Sequence, residues 1–183
     1  KGVRAFTKWC PEPGPMTAAV VREGVTRALK RLQVERIELM QFHWWSFDHP
    51  GYLDALAELA KLREEGLIAH LGLTNFDTAH LRLLLSHGIP IASNQVSLSL
   101  LDRRATLEMS QLCLERGVRL LAYGSLGGGF LSERWLGAPE PAEVADLKPE
   151  MPTAVHNRKA DSSSIRQENT SSPGRRWRGG AMR

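Results

Sequence analysis

The stretch Ile37-Glu38-Leu39-Met40-Gln41-Phe42-His43, followed directly by Trp44 and Trp45, decides how the rest of the chain is read. Ile37 and Leu39 alternate with polar residues and then give way to Met40 and Phe42. Both faces of this strand are therefore expected to meet other side chains, as in a parallel sheet covered by helices. His43 stands at its carboxyl end. A histidine in that place serves packing as readily as chemistry, so the neighbouring strands have to decide its role.

Upstream, Val3-Arg4-Ala5-Phe6-Thr7-Lys8 reads as a short strand with Val3 and Ala5 on one face and Phe6 on the other. Lys8 lies at its carboxyl end, and Pro11, Pro13, Gly14 and Pro15 break it. Thr17 is placed to cap a helix running to about Leu32, with Val21, Val25, Leu29 and Leu32 on one face. Lys30 and Arg31 suit the negative pole of that helix.

Downstream, residues 51–65 are predicted to form a helix with an apolar stripe of Leu53, Leu56, Leu59, Ala60 and Leu62, ended by Gly66 in a left-handed cap. Residues 68–73 form the next strand and lead into Thr74-Asn75-Phe76. Asp77 caps a helix that carries Leu81, Leu84 and Leu85 and stops at Gly88. Residues 91–96 are another strand, residues 103–117 another helix with Leu107, Leu112 and Leu114, and residues 118–123 a fifth strand.

Strict alternation with short connections implies parallel strands and an α/β fold. A doubly wound sheet usually carries a Gly-rich phosphate turn after its first strand, and no G-x-G-x-x-G stands at a strand-to-helix junction here. Lys8, His43, Asn75, Gln95 and Tyr123 instead end the strands, and in a (β/α)8 barrel all five would crowd one mouth. After the fifth strand comes Gly124-Ser125-Leu126-Gly127-Gly128-Gly129. This run reads either as a cradle of backbone N–H groups for a phosphate or as a flexible loop.

The 183 residues, 42% hydrophobic, suffice for one domain with a real core. The chain opens on Lys1 rather than Met, so upstream sequence is expected, and no signal peptide is visible. No apolar run approaches the ~18 residues of a membrane span. Cys10 and Cys113 lack metal-type spacing and secretory context, which suggests a reducing, cytoplasmic setting and no metal site. Residues 1–142 carry 16 basic and 15 acidic side chains, so most of the net charge of +4 belongs to residues 143–183. That tail holds only Val144, Leu147, Val155 and Ile165 as aliphatic anchors, and its Ser-rich runs and Arg175-Arg176-Trp177-Arg178 read as a disordered, basic extension. A nucleic-acid partner is not favoured by this pattern.

Taken together, Thr7-Lys8, His43-Trp44, Gly72-Leu73-Thr74-Asn75-Phe76, Asn94-Gln95-Val96 with Ser99-Leu100-Leu101-Asp102-Arg103, and Ala122-Tyr123-Gly124-Ser125-Leu126 resemble the aldo-keto reductase superfamily. The resemblance covers roughly residues 1–137. It implies a partial (β/α)8 TIM barrel, with this chain matching strands three to seven and lacking strands one, two and eight. It also implies reduction of aldehydes or ketones with NADP(H) bound without a Rossmann domain.

In that family, hydride attack leaves negative charge on the carbonyl oxygen. A tyrosine supplies the proton, a lysine ammonium lowers the pKa of that tyrosine, a histidine orients the carbonyl, and an aspartate pairs with the lysine. By position Lys8 and His43 match the lysine and histidine. The family's Asp and Tyr lie upstream of the Thr-Lys strand, and Tyr52 and Tyr123, the only tyrosines, are not at the acid's position.

Thr74, Asn75 and Gln95 match residues that hydrogen-bond the nicotinamide carboxamide, and Tyr123 matches the aromatic that stacks on the ring. Gly124, Ser125 and Leu126 match the pyrophosphate loop. Gly124 stands where many relatives have serine and Ser125 where they have proline, which predicts a looser loop; the 2′-phosphate site has no counterpart. Trp9, Trp44 and Trp45 are expected to line a substrate pocket, Trp44 foremost. The resemblance leaves a second reading open, a non-catalytic truncated product or nucleotide-sensing scaffold resembling potassium-channel β-subunits. Five strands of eight cannot close, so open sheet edges are expected to promote self-association.

Overall fold

The structure is a computed structural model that describes residue 4 and residues 6–138. Nine main elements alternate along it: β1 (Phe6–Trp9), α1 (Ala18–Leu32), β2 (Ile37–His43), α2 (Gly51–Glu64), β3 (Ile68–Thr74), α3 (Thr78–Ser86), β4 (Ile91–Ser97), α4 (Glu108–Arg116) and β5 (Arg119–Tyr123). Their strands form one parallel sheet in the order β1-β2-β3-β4-β5. Sequential order with right-handed crossovers places every helix on the same face of the sheet. A doubly wound fold reverses its strand order and puts helices on both faces. The order found here is that of a barrel wall, as the alternation predicts.

Local sequence explains the elements. Thr17 caps α1 with its side chain accepting from the Val20 amide. Asp77 does the same for α3, its Oδ1 accepting from the His80 amide at 2.8 Å. Gly66 and Gly88 take the left-handed backbone after α2 and α3. The core lies between sheet and helices. Phe42 is its centre, with ring centroids 5.7 Å from Trp9, 5.7 Å from Trp44 and 6.2 Å from Phe76. Val21 and Val25 of α1, Leu56 and Leu59 of α2, and Leu81 and Leu84 of α3 close over it.

Two helix readings are corrected. In α2, Leu56, Leu59 and Leu62 are buried and Ala60 packs against the core as expected, but Leu53 is exposed and Tyr52 and Ala55 are buried in the first turns. Residues 103–117 are not one helix. A 3-10 turn, Arg104–Thr106, is separated from α4 by Leu107 at φ −102°, ψ −117°. That break resets the helical phase, so Met109, Leu112 and Cys113 face the core while Leu107 and Leu114 are 73% and 85% exposed. The boundary at residue 142 and the basic tail lie outside the described residues.

Candidate active site

Register and two-residue periodicity assign the rim side chains. Lys8 pairs with Gln41, Gln41 with Gly72, and Gly72 with Ser93; His43 pairs with Thr74, Thr74 with Gln95, and Gln95 with Leu121. All of these share one face. Met40, Phe42, Leu71, Leu73 and Asn94 alternate with them and face the helices. The helix-free face therefore gathers Lys8, His43, Thr74, Gln95 and, one register step further, Tyr123 at the carboxyl ends of five strands.

Side-chain bonds tie this rim together. Lys8 Nζ donates to Gln95 Oε1 at 2.7 Å. Tyr123 Oη donates to Asn75 Oδ1 at 2.9 Å, and the Asn75 amide donates to the Gln95 carbonyl at 2.8 Å. Asn75 sits at φ 58°, one of two non-glycine residues in the left-handed region among the described residues. Asparagine tolerates that backbone better than most residues. Thr74 Oγ1 is buried without a hydrogen-bond partner, as are Gln41 Nε2 and Ser93 Oγ on the same face.

His43 is half-buried, and Cys10 Sγ lies 3.6 Å from its Nδ1. Burial pulls the imidazole below its ordinary value, and the Lys8 ammonium pulls it further the same way. Burial pushes the Cys10 thiol up, against a smaller opposing pull from Lys8. Both groups are thus held neutral near pH 7, as a hydrogen-bonding pair rather than an ion pair. Behind the rim, Arg104 holds Asp102 with bonds of 2.9 and 2.7 Å. That guanidinium brings the Asp102 carboxyl down to about 2.

The tryptophans separate. Trp45 is 63% exposed and its ring centroid is 4.1 Å from that of His43, so it forms a wall beside the histidine. Trp44 is 2% exposed, stacked on Phe42, with Nε1 donating to the His49 carbonyl at 3.1 Å. Trp9 is buried beneath α1, so close to Gly24 that a Cβ there would lie 2.6 Å from its ring. Trp9 and Trp44 each follow a rim residue by one position and so point to the helices. Their expected place at a substrate wall is corrected to packing in the core.

The glycine run is wound rather than loose. Gly127 N donates to the Gly124 carbonyl at 2.7 Å and Gly129 N to the Leu126 carbonyl at 3.0 Å. Positive φ at Gly124, Gly127, Gly128 and Gly129 makes this winding possible. Ser125 and Leu126 lie on the exposed outside of the turn. Two buried residues not anticipated as site components, Gln41 and Asn94, lie in β2 and β4, Gln41 on the rim-bearing face and Asn94 on the helix-facing one. Their signal in the sequence was an amide inside an otherwise apolar strand.

A parallel wall of α/β units whose polar side chains collect at one carboxyl rim is the frame of a barrel enzyme. The chain belongs to the Aldo/keto reductase family, whose model matches residues 1–169. It is similar to Protein tas of Escherichia coli, 33% identical over 144 residues, covering 67% of this chain and 41% of that protein. Among solved structures it resembles the holo form of an aldo-keto reductase from Bacillus halodurans, with TM-score 0.63 and 27% identity, covering 75% of this chain and 45% of that one. It also resembles an aldo/keto reductase from Klebsiella pneumoniae in complex with NADP and acetate, with TM-score 0.61 and 25% identity, covering 70% and 44%. The chain thus spans less than half the length of these relatives. No helix among the described residues is long and apolar enough to cross a membrane, and no cluster of side chains there could hold a metal ion.

Proposed function

We propose that this chain carries the cofactor-holding and carbonyl-orienting part of an NADP(H)-dependent reductase of aldehydes or ketones. The observation that carries the reading is the joining of Lys8, Asn75, Gln95 and Tyr123 by hydrogen bonds on the same rim as His43 and Thr74. The Klebsiella relative is described with NADP bound, and the residues here fit that group. Thr74 Oγ1 is an unused buried hydroxyl, and Asn75 and Gln95 offer two carboxamides beside it. Tyr123 offers a partly exposed ring, and the Gly124–Ser125–Leu126 turn offers backbone N–H groups.

When bound, the nicotinamide supplies the hydride. What the chain's own residues do is orient and polarise. His43 turns its Nδ1 toward the Cys10 sulfur, which leaves Nε2 as the nitrogen that can face a carbonyl oxygen. Lys8 supplies a fixed positive charge that favours negative charge developing on that oxygen. Trp45 shields the histidine from water on one side. A small carbonyl compound is the substrate class, and a cytoplasmic setting and self-association through the edges of β1 and β5 go with this reading.

One observation favours the second reading, a nucleotide-binding scaffold without turnover. Neither tyrosine is placed as an acid: Tyr52 is buried against Phe47 and Phe76, and the Tyr123 hydroxyl is committed to Asn75. The experiment adds NADPH and a panel of aldehydes and ketones and follows oxidation of the nicotinamide. Oxidation that needs the carbonyl and is lost in Lys8→Met and His43→Ala would support the reductase reading. Saturable nucleotide binding without any oxidation would replace the reductase by the scaffold, and neither binding nor oxidation would overturn both.

A further inference from the structure

We propose that Asn94 is a positioning residue that holds Asn75 in its left-handed backbone and so sets the nicotinamide end of the site. Asn94 is 0% exposed and lies on the helix-facing side of β4, next to Gln95 but pointing away from the rim. Its Nδ2 donates to the Phe76 carbonyl at 2.8 Å and lies 3.7 Å from the Met109 sulfur. Its Oδ1 has no partner. A buried, half-satisfied amide is an expensive way to fill a core position that an aliphatic side chain would fill more cheaply.

The geometry supplies a use for it. The chain leaves β3 at Thr74, turns at Asn75 with φ 58°, and enters the cap of α3 at Asp77. Phe76 is the pivot of that turn. Its ring is buried among Phe42, Phe47 and Tyr52, and its carbonyl is held by Asn94. On the other side of Asn75, the backbone amide is held by the Gln95 carbonyl. Two successive residues of β4 thus clamp the turn, Asn94 through its side chain on the helix-facing side and Gln95 through its backbone carbonyl in the plane of the sheet. A non-glycine residue keeps a left-handed backbone only where its surroundings over-determine it. Met109 joins α4 to the same clamp.

The inference rests on the reading that Thr74 and Asn75 meet the nicotinamide carboxamide, and two readouts separate it from that reading. The first is hydrogen exchange at the Asn75 amide in the full chain. The second is affinity for NADP+ against ADP-ribose 2′-phosphate, the same ligand without its nicotinamide. Asn94→Leu is expected to speed exchange at Asn75 and to weaken NADP+ roughly tenfold, the loss of about one good hydrogen bond, while leaving ADP-ribose 2′-phosphate unchanged. Asn94→Ala, which removes the donor without introducing a charge or extra volume, serves where the leucine variant fails to fold. Val25→Ala, a core truncation in α1, is the stability control and should alter neither readout. Unchanged exchange at Asn75 in both Asn94 variants, or equal weakening of the two ligands, would overturn the proposal. Failure of the wild-type chain to bind either ligand would count against the reductase reading, with the exchange result still deciding the clamp.

Discussion

Lys8 Nζ and Gln95 Oε1 meet at 2.7 Å although their strands, β1 and β4, are three strand spacings apart. On a flat sheet that separation is about 14 Å, and the contact closes because the sheet curls toward its helix-free face. In the proposed function Gln95 is shared between the lysine and the nicotinamide end of the cofactor. Gln95→Leu is expected to weaken NADP(H) binding about tenfold, as one lost hydrogen bond would. Calorimetric titration of the variant against wild type checks this.

His43 gives a pH dependence whose sign is fixed. Its folded value lies below the ordinary imidazole value of about 6.5, chiefly through burial and secondly through Lys8. The unfolded chain then binds more protons than the folded one between the two values. The stability tied to neutral His43 is complete above about pH 6.5 and is lost as pH falls through the lowered folded value. Urea midpoints should fall over that window, and Lys8→Met should raise the His43 value toward normal in an NMR titration.

Gly24 is where α1 touches β1. A Cβ there would stand 2.6–2.9 Å from three atoms of the rigid Trp9 indole. Alanine would gain about 1 kcal/mol in helix propensity, but overpacking against a buried ring costs about 1–3 kcal/mol. Gly24→Ala is expected to lower the denaturant midpoint. Gly14→Ala, with only one backbone atom at 4.0 Å, should leave it nearly unchanged.

Tyr123 combines a ring and a hydroxyl with separable roles. Tyr123→Phe removes the bond to Asn75 Oδ1 and keeps the ring, so nucleotide affinity should fall only severalfold. Tyr123→Ala also removes the stacking surface, worth on the order of 1 kcal/mol beyond burial, and should bind distinctly more weakly than Tyr123→Phe. Equal affinities for the two variants would remove the ring from the site.

Much of this was legible in the chain. β2 runs over Ile37–His43 as its pattern predicts, and the caps at Thr17 and Asp77 and the left-handed Gly66 and Gly88 follow from local chemistry. The misreadings have physical causes. Trp44 looks like a pocket residue because it adjoins His43, yet strand periodicity turns neighbours to opposite faces, and its parity is that of Phe42. The phase of α4 was lost at Leu107, whose backbone break leaves no mark of glycine or proline in the sequence. The Lys8–Gln95 and Tyr123–Asn75 bonds join residues 87 and 48 positions apart. Such pairs depend on sheet curvature, which periodicity does not encode.

The most direct measurement is titration of NADPH into the full 183-residue chain, following quenching of tryptophan fluorescence, with Trp45 standing beside His43 as the reporter. The account predicts saturable quenching that is weakened in both Asn75→Ala and Gln95→Leu and diminished in amplitude in Trp45→Phe. Absence of saturable quenching and of calorimetric heat, or binding indifferent to both rim substitutions, would contradict it.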